Sequence, residues 1–113
     1  MKASVFRRDV YKKTAVEEGW RARSAYKLMQ VEEEMNFLKY SLRVVDLCAA
    51  PGSWSQVAAK IMPPSDERKI IAIDLRKIVP IEGVVQLRGD ITDVETAKTV
   101  ISMLDGKLAD AVM

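Results

Sequence analysis

A chain of 113 residues, 49% hydrophobic and 30% charged, has the composition of one globular domain with a modest core, and nothing in it approaches the roughly 18 uninterrupted apolar residues of a membrane span. It has no histidine and a single cysteine, Cys48, which excludes imidazole-based triads, imidazole-ligated zinc and any intrachain disulfide. The net charge of +2 hides an asymmetry: residues 1–27 carry eight basic and three acidic side chains, a balance of +5, so the remaining 86 residues sum to −3.

That basic stretch interleaves Arg7, Arg8, Lys12, Lys13, Arg21, Arg23 and Lys27 with Phe6, Tyr11, Trp20 and Tyr26. Cations neutralise phosphates and aromatic rings stack bases, so this is what an RNA-contacting surface needs; a solvated helix face would have the same charge. No apolar h-region follows the basic N-terminus, as a secretory signal requires. Leu28, Val31, Met35 and Leu38 then form one apolar stripe, predicting a helix from about Ser24 to Leu38. The run RVVDLC, Arg43–Cys48, reads as a buried strand. Trp54, Val57, Ala58 and Ile61 predict a second helix, opened by a capping box at Ser53 and Gln56 and stopped by Pro63-Pro64. Strands follow at Lys69–Asp74 and Val84–Leu87. A capping box at Thr92–Glu95 opens a third helix, with Val94, Ala97, Ile101 and Leu104 as its buried face, and LADAVM looks like the start of a fourth strand.

Strands alternating with helices imply βαβ crossovers and a parallel sheet, an α/β class in which ligands sit beyond the carboxyl ends of the strands. Three such ends carry DLCAAPGSW, DLRK and GDIT. In the first, Gly52 would let a ligand approach the backbone, and Trp54 falls near the mouth of the site although its spacing also fits the core. Asp74 can accept hydrogen bonds from ribose hydroxyls, and Asp90 from an exocyclic amine. Each alone is weak; together they point to an adenosine-containing ligand. The glycine fingerprint of dinucleotide sites and the phosphate-binding loop are both missing, so the ligand need not carry phosphates. S-adenosylmethionine, with a sulfonium in place of a pyrophosphate, suits a glycine-poor, carboxylate-rich pocket.

The segments GWRARSAYKL, DLCAAPGSWSQ, IAIDL and GVVQLRGDIT, in this order and spacing, resemble the FtsJ family of RNA ribose 2′-O-methyltransferases, and most of all its eukaryotic cytoplasmic branch acting on the tRNA anticodon loop. The resemblance runs from Arg8 to Met113. It implies a Rossmann-like, S-adenosylmethionine-dependent methyltransferase fold, a cytoplasmic setting, an RNA substrate (tRNA above all) and an accessory protein subunit, without metal or membrane. It carries cofactor contacts onto Gly52, Trp54, Asp74 and Asp90. Lys27 becomes one of four catalytic residues, Lys-Asp-Lys-Glu, around the target hydroxyl; composition alone would leave it a solvated helix lysine.

Two departures stand out. Ser53 replaces a second glycine found in many bacterial members, in agreement with the tRNA branch. The family's catalytic Asp follows strand four, where this sequence stops, and the later Lys and Glu are missing with it. The expectation is therefore an N-terminal portion of one methyltransferase domain, residues 1–40 a basic RNA-facing helical segment and 41–113 the cofactor-binding βαβ units, with the sheet truncated after strand four and the chain inactive alone. The alternatives are a non-catalytic module binding S-adenosylmethionine, RNA or a partner, and, disfavoured by the missing glycines, a nucleotide-dependent oxidoreductase half-domain.

Overall fold

The computed structural model describes residues 14–113; the expectations placed on residues 1–13, including five of the eight N-terminal cations, lie outside them. Four strands form one sheet: β1 (Arg43–Leu47), β2 (Lys69–Asp74), β3 (Val85–Arg88) and β4 (Ala111–Val112). Their order is β3-β2-β1-β4 and every pairing is parallel. The helices are α1 (Ser24–Met35), α2 (Ser53–Ile61) and α3 (Val94–Met103), with a 3₁₀ turn at Leu38–Tyr40.

Because side chains alternate across a strand, β1 and β2 feed two cores. Val44 and Ile70 face α1 and α2 and pack with Ala25, Leu28, Leu38, Val57, Ala58 and Met62. Val45, Ile71 and Ile73 face the other way, toward Leu104. The first core is fully closed, and residues 24–40 are integral to it. The second is thinner, since no residue of α3 is buried.

That exposure corrects the predicted α3 face. Leu104 is buried just after the helix, but Val94 and Ile101 are 66% and 64% exposed. Amphipathic spacing shows which face is apolar, and here little lies against it. An apolar cleft of about 290 Å³ runs between α3 and the sheet, lined by Leu47, Ile73, Val100, Ile101 and Val112. The first helix is corrected too. It stops at Met35, because Asn36 turns left-handed (φ 53°) and donates to Glu32 O. Val31 and Met35 are exposed, and the inner face is Ala25, Leu28 and Glu32. Leu38 is buried from the separate 3₁₀ turn, whose first amides the Glu32 carboxylate caps, accepting from Leu38 N (2.8 Å) and Lys39 N (3.0 Å).

Both predicted capping boxes are displaced by one residue. Gly52, at φ 114°, occupies the N-cap of α2. Ser53 is therefore the first helical residue, and its hydroxyl pairs with that of Ser24 at 2.8 Å. At α3 the cap is Asp93, accepting from Glu95 N, in place of Thr92. The end of α2 at Ile61 agrees with the prolines, because Met62 is extended as residues before proline are.

Candidate functional site

The sheet order changes direction at β1, with β2 on one side and β4 on the other. A crevice at the carboxyl ends of diverging strands is the favoured ligand position in such sheets. A cleft of about 300 Å³ lies there, lined by residues 46–51 with Ser53, Trp54 and, across from them, Ser24 of α1.

The loop that forms it is held from several directions. On the β2 side, Ala49 N donates to Ile73 O (2.9 Å) and Ala50 N to the Asp74 carboxylate (2.9 Å). Asp74 also accepts from Arg76 N at 2.8 Å and pairs with the Arg76 side chain at 3.4 Å. These bonds, the Arg76 amide first, hold its carboxyl below the ordinary carboxylate range. Asp74 is thus buried and already organises the loop; a carboxylate has about four acceptor positions, and the loop leaves little of that capacity. On the α1 side, Trp54 Nε1 donates to Ser24 O (2.9 Å), and Gln56 links Arg21 N (2.9 Å) to Gly19 O (3.1 Å). The Ala50-Pro51 peptide is cis.

The sequence-predicted positions separate into groups. Trp54 lines the cleft. Gly52 begins the helix beneath it, but the space its missing Cβ would take is filled by protein: Ile81 Cδ1 stands 2.7 Å from that point and Arg21 Nη1 3.2 Å. The glycine serves backbone conformation and close packing more than ligand approach. Asp74 lies behind the loop. Asp90 is exposed beyond β3, accepting from the Thr92 hydroxyl (2.6 Å) and amide (2.9 Å), which lower its pKa, the hydroxyl contributing most. Lys27 is exposed on α1, one turn beyond the cleft-lining Ser24.

Asp46 was missed. It projects from β1 on the α1–α2 face and is only 2% exposed, yet it lines the cleft and accepts from Ser55 Oγ at 2.6 Å. Burial pushes its carboxyl above the ordinary range, against the lowering effect of the Ser55 hydrogen bonds. The one available signal was a charged residue inside the apolar run RVVDLC. Among the described residues lining the cleft it is the only charged one. Such a cleft disfavours a pyrophosphate and suits a ligand that brings positive charge to Asp46 and an apolar or aromatic face to Trp54. Among the described residues no group of three or more potential metal ligands gathers, and no helix is long and apolar enough to cross a membrane.

Comparison with known proteins agrees with this geometry. The profile of the FtsJ-like methyltransferase family matches residues 20–113. The mouse tRNA (cytidine(32)/guanosine(34)-2′-O)-methyltransferase is 49% identical over 107 residues, covering 95% of this chain and 33% of that protein. The ribosomal RNA large subunit methyltransferase E of Azorhizobium caulinodans is 45% identical over 106 residues, 93% of this chain and 44% of its own length. A crystal structure described as a ribosomal RNA methyltransferase from Plasmodium falciparum superposes with a TM-score of 0.69 at 28% identity, covering 82% of this chain and 54% of that one. The chain spans less than half the length of these two sequence relatives. A family profile matched from Trp20 to Met113, over a parallel sheet with its cleft at the strand ends, means that the chain belongs to the FtsJ-like methyltransferase family.

Proposed function

We propose that these 113 residues form the cofactor-binding part of an S-adenosylmethionine-dependent RNA ribose 2′-O-methyltransferase whose substrate is tRNA. The observation that carries this reading is the cleft at the end of β1, with a single buried carboxylate, Asp46, and one indole, Trp54. When bound, S-adenosylmethionine supplies a methyl group on a cationic sulfur. Asp46 favours that positive charge by attraction across a partly desolvated site. Trp54 offers an apolar wall, the Gly52 backbone opens α2 beneath the loop, and Asp74 fixes the loop while turning its remaining acceptor capacity toward a ribose. Asp90, at the next strand end, receives the base.

Lys27 is assigned to the RNA side, where an ammonium orients the target hydroxyl and takes part in moving its proton. The basic side chains of residues 1–40, Arg21 excepted, are assigned to RNA and residues 41–113 to the cofactor, in a cytoplasmic protein working with an accessory subunit. Turnover is assigned to the longer polypeptide typical of the relatives, and the isolated chain binds cofactor without it.

The test is thermal. S-adenosylhomocysteine at 100 times its dissociation constant stabilises a binding-competent fold by about 2.7 kcal/mol, roughly ten degrees in melting temperature for a chain of this size. NAD leaves the melting point unchanged. A chain stabilised by NAD and indifferent to S-adenosylhomocysteine would overturn the reading.

A further inference from the structure

Arg21 belongs by sequence to the cations expected to neutralise RNA phosphates. Its guanidinium is spent elsewhere. It donates to Pro51 O at 3.0 Å and Pro80 O at 2.8 Å, and it also contacts Val79 O. Among the described residues it makes no ion pair. The three carbonyls come from two loops. Pro51 belongs to the cleft loop, while residues 78–81 pack Ile78 and Ile81 against Ala49 and Ala50 of that loop. Gly52 sits where they meet: a Cβ there would stand 2.7 Å from Ile81 Cδ1 and 3.2 Å from Arg21 Nη1, so both would have to shift. The Arg21 amide is meanwhile fixed by Gln56 of α2, and α1, with Lys27, starts three residues later.

We propose that Arg21 is a positioning residue of the cleft. It fastens the cleft loop to the 78–81 loop and ties both to the start of the helix that carries Lys27, instead of contacting RNA. This rests on reading the cleft as the cofactor site. A planar fork of five donors can serve three carbonyls at once; a lysine ammonium, a point charge on a flexible stem, cannot hold them in one geometry. A phosphate contact differs in its signature, because the salt dependence of binding counts the charge, which lysine supplies as arginine does.

The experiment compares Arg21→Ala, Arg21→Lys and the neighbouring surface change Arg23→Ala in the full 113-residue chain. Three readouts are taken: affinity for S-adenosylhomocysteine, salt dependence of binding to a short single-stranded RNA, and the rate at which Cys48 reacts with an aromatic disulfide reagent. Cys48 is exposed, lies in the cleft loop and is the chain's single cysteine, so its rate reports loop order. Both Arg21 variants are expected to bind S-adenosylhomocysteine roughly ten-fold or more weakly and to expose Cys48 to several-fold faster reaction, with the RNA salt slope unchanged.

The proposal is overturned if Arg21→Lys behaves as wild type in the ligand and thiol assays. It is also overturned if Arg21→Ala flattens the salt slope by roughly 0.7, the loss of one single-strand phosphate contact, while the thiol rate stays put. Loss of helical circular dichroism in both variants would make Arg21 a folding residue and overturn it equally. If the wild-type chain binds no S-adenosylhomocysteine, the cofactor reading fails by itself, and the thiol rates in the ligand-free protein still decide whether the clasp orders the loop.

Discussion

Gly52→Ala separates two accounts of the glycine under the cleft. At φ 114° an L-residue is strained whatever space surrounds it, at about 1–3 kcal/mol. The new Cβ would also stand 2.7 Å from Ile81 Cδ1, 3.2 Å from Arg21 Nη1 and 3.4 Å from Ile78 Cγ2. The closest of these atoms is the free end of a half-buried side chain that can swing aside, so overpacking adds toward the low end of its usual range, about 1 kcal/mol. The sum is about 2–4 kcal/mol, a large share of the 5–15 kcal/mol typical of a domain. In urea unfolding followed by tryptophan fluorescence, with a denaturant dependence near 1.5 kcal/mol per molar, the midpoint should fall by roughly 1.3–2.7 M. Adding Ile81→Ala should remove the contact part and leave the backbone part. A loss below about 0.5 kcal/mol, or complete recovery in the double variant measured against Ile81→Ala alone, would refute the reasoning.

Glu32→Ala leaves the buried Leu38 amide and the Lys39 amide without their acceptor and should destabilise by about 2–4 kcal/mol, whereas Glu32→Gln keeps an acceptor and should lose about 1 kcal/mol; equal losses in calorimetry would contradict the capping role. Asp46 has a raised folded pKa, so the native state holds its proton more tightly than the unfolded state, and this contribution to stability is lost as pH rises from the ordinary 3.8 through the folded value. Asp46→Asn does not titrate, so its melting point relative to wild type should improve as pH climbs from acid to neutral; a flat difference would mean Asp46 is not desolvated. Asp110 has the opposite sign. The Arg43 and Leu42 amides lower its pKa, so its contribution is present above 3.8 and lost as pH falls through the folded value, and Asp110→Asn should flatten the acid limb of the stability curve.

The strands were legible because β2 is buried on both faces and most of β1 is, and a continuous β-branched run has few other uses. The strand ends, and hence the loops worth reading, followed from that. The α3 pattern misled because periodicity marks an apolar face without saying what covers it. Cap positions slipped because Gly52, chosen for its backbone freedom, takes the place that serine chemistry suggested. The roles of Asp46, marked only by a charge inside an apolar run, and of Arg21 escaped for another reason. A carboxylate inside a strand has no spacing signature, and the Arg21 carbonyls lie 30 to 59 residues away in sequence. Their roles exist only after the chain has folded.

The join between β4 and β1 bears on the order of folding. Asp110 accepts from Leu42, 68 residues earlier, and only two residue pairs then continue the ladder. So long a closure makes this join a late event in folding. Leu47, the residue after Asp46, donates its amide to Met113 O at 3.1 Å. The floor of the cleft is thus tied on one side to β2, near in sequence, and on the other to a strand that must return across most of the chain, so the site is complete only when its longest loop has closed.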